Sequence, residues 1–162
     1  MSYPTLLIMY EQSVRANKRA LSDFQKFGMK GTYKNIQDST SRVMGLLGEE
    51  ALSYFFGVEI QDKPDYDLIV DGKRIEVKSR SINKAEIYSH YEVHAFNGNN
   101  YDKDCDFYVF PIIRDLLTVK IVGYISKKRF INDSWIGNYR GVKTKMLNIY
   151  QLNKLEVIYG KN

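Results

Sequence analysis

The amino-terminal part of the chain places apolar residues at the three- and four-residue spacing of an amphipathic helix. This spacing predicts a first helix over about residues 4–27, ended by Gly28, and a second over about residues 39–56, ended by Gly57. The Ser and Thr residues at 39–41 can cap the amino terminus of the second helix. The chain is therefore expected to open with two helices.

The clearest strand pattern is a hairpin around Asp71-Gly72, the residue pair favoured in two-residue type I′ turns. Residues 68–70 and 74–78 would form its two strands. Further strands are expected at residues 107–113, 118–125 and 155–159, with alternation favouring another within 86–96. Helices followed by strands predict an α/β fold in a single domain over residues 1–162.

Composition narrows the class of protein. The chain has 162 residues with 44% hydrophobic and 27% charged side chains, which is typical of a folded globular domain. Its single cysteine excludes an internal disulfide framework and fits a reducing compartment. No apolar run is long enough to span a bilayer, and no secretory signal pattern opens the chain. We expect a cytoplasmic protein of a bacterial, archaeal or phage-infected cell, without membrane contact.

The net charge of +5 is unevenly distributed. Residues 1–48 carry seven basic and three acidic side chains, residues 49–76 carry three and eight, and residues 77–162 carry fourteen and eight. Carboxylates that hold a metal next to a polyanion would give such an acidic segment inside a basic chain. Chance clustering of solvated surface charge is the alternative.

The hairpin register brings two carboxylates together. A two-residue turn pairs Leu68 with Ile75, which places Asp67 opposite Glu76, and Lys78 shares their face. Opposed carboxylates repel each other unless a cation such as Mg²⁺ lies between them. The alternative is an ordinary half-exposed sheet on which Glu76 and Lys78 are solvated.

The same residues resemble a known signature. Residues 64–70, which read PDYDLIV, followed by Glu76-Val77-Lys78, are similar to the motif of the PD-(D/E)XK nuclease superfamily. The upstream segment at 45–57, with Gly45 four residues before Glu49, resembles the first helix of archaeal Holliday-junction resolvases. The resemblance covers about residues 42–80.

This resemblance implies a restriction-endonuclease-like core of αβββαβ type over about residues 39–125, with a mixed central sheet flanked by helices. It implies that Asp67 and Glu76 hold Mg²⁺, which Mn²⁺ could replace. The Val77 carbonyl would be a third ligand and Glu49 a direct or water-mediated one, with Glu50 as the fallback. Lys78 would be the catalytic lysine.

The carboxy-terminal part, over about residues 126–162, has the composition of a nucleic-acid-binding surface. Basic residues are interleaved there with Trp135 and Tyr139, which suits phosphate contacts and base stacking. A solvated surface with Trp135 docked in the core is the alternative. The candidates for DNA contacts are Lys127, Lys128, Arg129, Arg140, Lys143 and Lys145, together with Arg80 just beyond the hairpin.

Other reactive side chains are not expected to carry chemistry. His90 and His94 lack the partner residues of a metal site. Cys105 lies among Asp102, Asp104 and Asp106, whose charges should raise its pKa and make it a poor nucleophile.

Together these features predict a Mg²⁺-dependent DNA endonuclease that hydrolyses phosphodiesters by attack of an activated water. Two alternatives stay open: a structure-specific Holliday-junction resolvase, and a non-catalytic nucleic-acid-binding module that retains the nuclease fold. A homodimer would suit cleavage of two strands. No nucleotide cofactor is expected, because the chain lacks a glycine-rich phosphate loop.

Overall fold

The computed structural model describes residues 3–27, 36–61, 63–82, 87–88, 90–95, 103–115, 118–139 and 141–155. These residues form a mixed α/β fold with helices α1 (Tyr10–Phe27), α2 (Ile36–Phe56) and α3 (Lys127–Asp133). The strands are β1 (Thr5–Leu7), β2 (Leu68–Val70), β3 (Lys73–Val77), β4 (Arg80–Ser81), β5 (Glu92–His94), β6 (Phe107–Asp115), β7 (Thr118–Ser126), β8 (Trp135–Tyr139) and β9 (Val142–Asn148).

The main sheet has six strands in the order β1-β7-β6-β3-β2, with β4 also paired to β6. Strands β3 and β4 run parallel to β6, and the other pairs are antiparallel. The central strand β6 is a nearly continuous apolar run because both of its faces are buried. No helix lies among the described residues between β4 and β6.

The prediction for the first helix is wrong at its start. Residues Thr5–Leu7 form β1, in which Leu6 lies opposite Val119 of β7, and α1 begins only at Tyr10. The apolar run there is too short for its periodicity to distinguish helix from strand. Backbone pairing with the edge of β7 decides the outcome, and that partner lies far along the chain.

The two long helices pack through small residues. Ala16 and Ala20, one turn apart on α1, lie in one buried cluster with Leu46, Leu47 and Ala51 of α2. Helix α2 begins at Ile36, slightly before the predicted start, and Gly57 ends it in the left-handed conformation at φ 65°. Alanine side chains allow the close approach that brings the polar residues of both helices into contact.

The predicted hairpin is confirmed in its turn and register. Asp71 and Gly72 both have positive φ, at 49° and 74°, as a type I′ turn requires. Val70 lies opposite Lys73 and Leu68 opposite Ile75. The local turn chemistry thus sets which residues of the two strands face each other.

The main sheet is covered on both faces. On one face Val77 packs in a cluster with Leu52 of α2. On the other, Tyr108 packs against Phe130 of α3, with ring centroids 5.1 Å apart. Because side chains alternate along a strand, Glu76 belongs to the face of Tyr108.

The carboxy-terminal part forms α3 and the strands β8 and β9, which join the earlier strand β5 in a three-stranded sheet of order β5-β9-β8. The Ser126 hydroxyl caps α3 by accepting a hydrogen bond from the Arg129 backbone N–H at 3.3 Å. Strand β5 lies within the strand predicted at 86–96. Leu155, predicted to begin a strand, instead lies in a 3-10 turn, and residues 156–159 lie outside the described residues.

None of the helices in the described part of the chain combines the length and apolar character needed to cross a bilayer.

Candidate functional site

Asp67 directly precedes β2, whose pairing with β3 ends at Leu68 and Ile75. Its backbone N–H donates to the Ile75 carbonyl at 2.8 Å, and its Oδ2 accepts a hydrogen bond from the Val77 N–H at 2.7 Å. Burial raises the pKa of Asp67 to about 8, and the negative charges of Glu49 and Glu76 contribute to this rise, against the opposing Val77 hydrogen bond. Asp67 therefore lies within electrostatic reach of both Glu49 and Glu76.

Glu76 is a buried carboxylate, with only 1% of its surface exposed. The alternative of a solvated residue on a half-exposed sheet is therefore wrong for Glu76. Its Oε1 accepts hydrogen bonds from the ammonium groups of Lys78 and of Lys103, the latter at 2.5 Å. Its Oε2 is buried and has no hydrogen-bond partner within the described part of the chain. A buried acceptor without a donor is costly and can be satisfied by a cation.

The two helix glutamates face different surroundings. Glu49 accepts a hydrogen bond from Arg19 Nη2 of α1 at 2.8 Å, and Glu50 pairs with Arg15 Nε at 2.8 Å. Both glutamates are buried. Of the two, Glu49 is the one whose charge raises the pKa of Asp67, so it lies on the hairpin side of α2.

A glycine contact holds α2 against the end of the hairpin. A Cβ on Gly48 would lie 1.9 Å from Ser79 Oγ and 2.9 Å from Pro111 Cγ. The same Ser79 hydroxyl donates to the Gly45 carbonyl at 3.2 Å. Only glycine allows this approach at position 48, and the approach places the neighbouring Glu49 near Asp67.

Sequence reasoning missed three of the cations at the site. Lys103 binds a carboxylate 27 residues earlier in the chain, and no local pattern signals that contact. Arg15 and Arg19 had a detectable signal, because their four-residue spacing places them on one face of a helix. Each of these cations pairs with an acid from another element, so the carboxylates are largely neutralised within the protein.

The segment that carries Lys103 is tied to the hairpin. Asp106 Oδ2 accepts hydrogen bonds from the Arg74 backbone N–H at 2.8 Å and from its Nε at 3.3 Å, and Asp104 pairs with the same guanidinium. These hydrogen bonds from Arg74 lower the pKa of Asp106. The pKa of Cys105 is raised as expected, but the main cause is burial and not the neighbouring aspartates. Asp102 lies outside the described residues.

One of the predicted DNA-binding residues contacts the segment that reaches Glu76. Lys127, at the start of α3, donates from Nζ to the Lys103 carbonyl at 2.5 Å. Arg80 follows the hairpin and donates from Nη1 to the Glu92 carbonyl. The first turn of α3 thus begins directly beside the segment that reaches Glu76.

The other predicted DNA-binding residues lie on α3 and on the β8–β9 hairpin. Lys128 and Lys143 are exposed. Arg129 pairs with Asp133 at 3.4 Å, and Lys145 donates to the Ile131 carbonyl at 2.8 Å. Arg140 lies outside the described residues. Trp135 is partly exposed on β8, so its full burial in the core is excluded.

The two histidines lie in different local surroundings. His94 lies on β5, whereas His90 stacks against Tyr88 with ring centroids 5.5 Å apart. Across the described residues, no group of three or more His, Cys, Asp or Glu side chains is arranged as a ready metal site.

The donors around Asp67 nevertheless fit Mg²⁺ or Mn²⁺ in their chemistry. They are carboxylate oxygens, which these ions prefer. The unpartnered Oε2 of Glu76 is an acceptor open to a cation, and the raised pKa of Asp67 means that its charged form is disfavoured without one. Glu49 and Glu76 are held by Arg19, Lys78 and Lys103, so a metal would have to compete with protein cations there.

No protein-family model matches this chain, and no curated protein matches it.

Proposed function

We propose that this protein is a Mg²⁺-dependent endonuclease that hydrolyses DNA phosphodiesters, with a restriction-endonuclease-like core. One observation carries the proposal: Asp67 lies within electrostatic reach of both Glu49 and Glu76, and Lys78 contacts Glu76. Burying three like charges together is unfavourable unless a cation offsets them. The confirmed hairpin register and the parallel pairing of β3 with β6 are consistent with the proposed core.

Asp67 and Glu76 would hold the metal, with the Val77 carbonyl as a third ligand. Glu49 would bind it directly or through water, and Glu50, held by Arg15, is the less suitable helix residue. When bound, Mg²⁺ would lower the pKa of a water and offset negative charge on the phosphate.

Lys78 would act on the reacting groups. Its side chain is 28% exposed while its ammonium contacts the buried Glu76, so it spans the boundary between the carboxylates and solvent. From there it can orient the attacking water and stabilise charge that develops on the phosphate. The attacking water would lose a proton to solvent as its oxygen forms a bond to phosphorus. The bond from phosphorus to one ester oxygen would break, and that oxygen would take up a proton from solvent.

DNA would approach along the basic residues beside the site. Helix α3 begins next to Lys103 and carries Lys127, Lys128 and Arg129. The β8–β9 hairpin adds Lys143 and Lys145. Arg80 and Arg140 complete the proposed set. Cations along one path can neutralise successive phosphates and place the duplex over the carboxylates.

A non-catalytic role has one observation in its favour. The carboxylates are already paired with Arg15, Arg19, Lys78 and Lys103, as in a cluster that serves only to stabilise a fold. In that case the protein would bind nucleic acid through its basic residues and would not cleave it.

A cleavage assay separates the two functions. Supercoiled plasmid, linear duplex, single strands and a four-way junction would be incubated with the protein in Mg²⁺, Mn²⁺ or EDTA. Endonuclease activity predicts metal-dependent nicking that is abolished in Asp67→Asn and Lys78→Met. Asp71→Asn is the matched control, because it removes an exposed carboxylate from the same hairpin and asparagine accepts positive φ. Binding without cleavage in any metal would favour the non-catalytic role, and selective cutting of the junction would identify a resolvase.

A further inference from the structure

Glu76 receives two ammonium groups on a single oxygen. Both Lys78 and Lys103 donate to Oε1, while Oε2 has no partner within the described part of the chain. One carboxylate charge cannot fully offset two ammonium charges, so the second lysine is present in excess of what Glu76 needs. Neutralising Glu76 in the metal-free protein does not account for the second lysine.

The backbone of Lys103 is fixed although its side chain reaches solvent. Arg74 binds Asp104 and Asp106, which follow Lys103 closely in the chain, and Lys127 donates to the Lys103 carbonyl at 2.5 Å. The Lys103 side chain itself is 28% exposed. A lysine anchored in this way can change the partner of its ammonium by side-chain rotation alone.

Occupation of the carboxylates by a divalent cation changes the charge balance. Without metal, three acidic and three basic side chains lie in this cluster: Glu49, Asp67 and Glu76 with Arg19, Lys78 and Lys103. Because the pKa of Asp67 is raised, the acids carry fewer than three negative charges at neutral pH. Adding two positive charges leaves the cluster positive and places the metal in competition with the lysines for Glu76. A phosphodiester carries the negative charge that would restore the balance.

We infer that Lys103 is an exchangeable cation of this site, which neutralises Glu76 in the metal-free protein and binds the DNA phosphodiester when a divalent metal occupies Glu76. The inference rests on the proposed function. Lys78 is less suited to exchange, because it lies two residues from Glu76 on the same face of the same strand and stays within reach of it. Lys103 enters from a different segment, beside the basic first turn of α3.

Two measurements on Lys103→Met test this inference. The Mg²⁺ affinity is expected to rise and the cleavage rate to fall. Isothermal titration of Mg²⁺ into the DNA-free protein should show binding about three- to tenfold tighter than wild type, because a competing cation is gone. Single-turnover cleavage of plasmid at saturating Mg²⁺ should be about tenfold slower, because methionine cannot bind the phosphate. Lys103→Arg should stay close to wild type in both, and Lys154→Met, at an exposed lysine elsewhere, is the control.

A purely structural Lys103 would not produce this combination. Unchanged or weaker Mg²⁺ binding in Lys103→Met, or cleavage at the wild-type rate, would overturn the inference while leaving the nuclease proposal intact. If wild-type protein neither bound Mg²⁺ nor cleaved DNA, the proposed function itself would fail and the inference with it. Circular dichroism melting of each variant identifies any loss of folding.

Discussion

Asp67 is a residue whose charged form the metal-free protein disfavours. Burial and the charges of Glu49 and Glu76 together raise its pKa to about 8, well above the value of 3.8 that it has when unperturbed. Around neutral pH it therefore holds a proton in the metal-free protein. A divalent cation would compete with that proton, so metal binding and proton release should be linked.

The raised pKa of Asp67 predicts how stability depends on pH in EDTA. Between about pH 4 and pH 8 the folded state binds more protons at Asp67 than the unfolded state does. The free energy of unfolding should therefore fall as pH rises through this range, by at most about 5 kcal/mol. Urea unfolding at a series of pH values measures it.

The matched variant for this test is Asp67→Asn, which keeps the side-chain shape without the titrating group. Its free energy of unfolding should decline less between pH 4 and pH 8 than that of wild type. Equal slopes in the two proteins would show that Asp67 titrates normally in the folded state.

At the scale of elements, the contact between α2 and the end of the hairpin sets the site. Gly48 lets the helix approach Ser79 and Pro111 so closely that no Cβ fits between them. A Cβ on Gly45, one turn earlier, would meet no neighbouring atom within 4 Å. The two glycines of the same helix therefore have different structural roles.

Alanine at each of these glycines should have opposite effects. Gly45→Ala should stabilise the protein by about 0.5–1 kcal/mol, since alanine favours the helix and meets no neighbour. Gly48→Ala should destabilise it by about 1–3 kcal/mol and slow DNA cleavage, since the helix must shift away from the hairpin. Thermal melts and plasmid nicking measure both effects, and equal stability of the two variants would contradict the packing described here.

Elements governed by neighbouring residues were predictable from the sequence, and those governed by distant partners were not. The hairpin followed from Asp71-Gly72, whose backbone preference fixes the turn and hence the register. Strand β1 was missed because its conformation depends on pairing with β7. Lys103 was missed for the same reason, since only the folded chain brings its ammonium to Glu76.

Across the whole molecule, much of the basic charge is used internally. Arg15 and Arg19 of α1 and Lys103 pair with buried glutamates, so they offset the acidic segment at 49–76. Exposed basic residues remain on α3 and the β8–β9 hairpin, among them Lys128 and Lys143. The net charge of +5 thus combines an internally paired site with a basic outer surface.

This distribution predicts how DNA binding responds to salt. Lys128→Ala combined with Arg129→Ala should weaken binding to duplex DNA in EDTA, because alanine cannot neutralise a phosphate. The slope of log affinity against log salt should become shallower by about 0.9 for each phosphate that is no longer neutralised. Fluorescence anisotropy over a NaCl series measures both quantities. These two residues are preferred to Lys127, whose replacement would also disturb Lys103.

The matched control for the salt series is Lys18→Ala combined with Lys63→Ala, which removes two exposed lysines elsewhere in the sequence. Its affinity should change less, and its slope should stay near that of wild type. If both double variants lowered the slope equally, the α3 residues would not be the DNA contacts.

The most direct measurement of the central claim is single-turnover nicking of supercoiled plasmid by wild type and Glu76→Gln, each with Mg²⁺ and with EDTA. Glutamine keeps the shape of the buried side chain and removes the charge that would hold the metal. Wild type should nick the plasmid in Mg²⁺ and not in EDTA, and Glu76→Gln should be at least about a hundredfold slower in Mg²⁺. Nicking by Glu76→Gln at the wild-type rate, or nicking by wild type that persists in EDTA, would contradict a metal-dependent active site at Glu76.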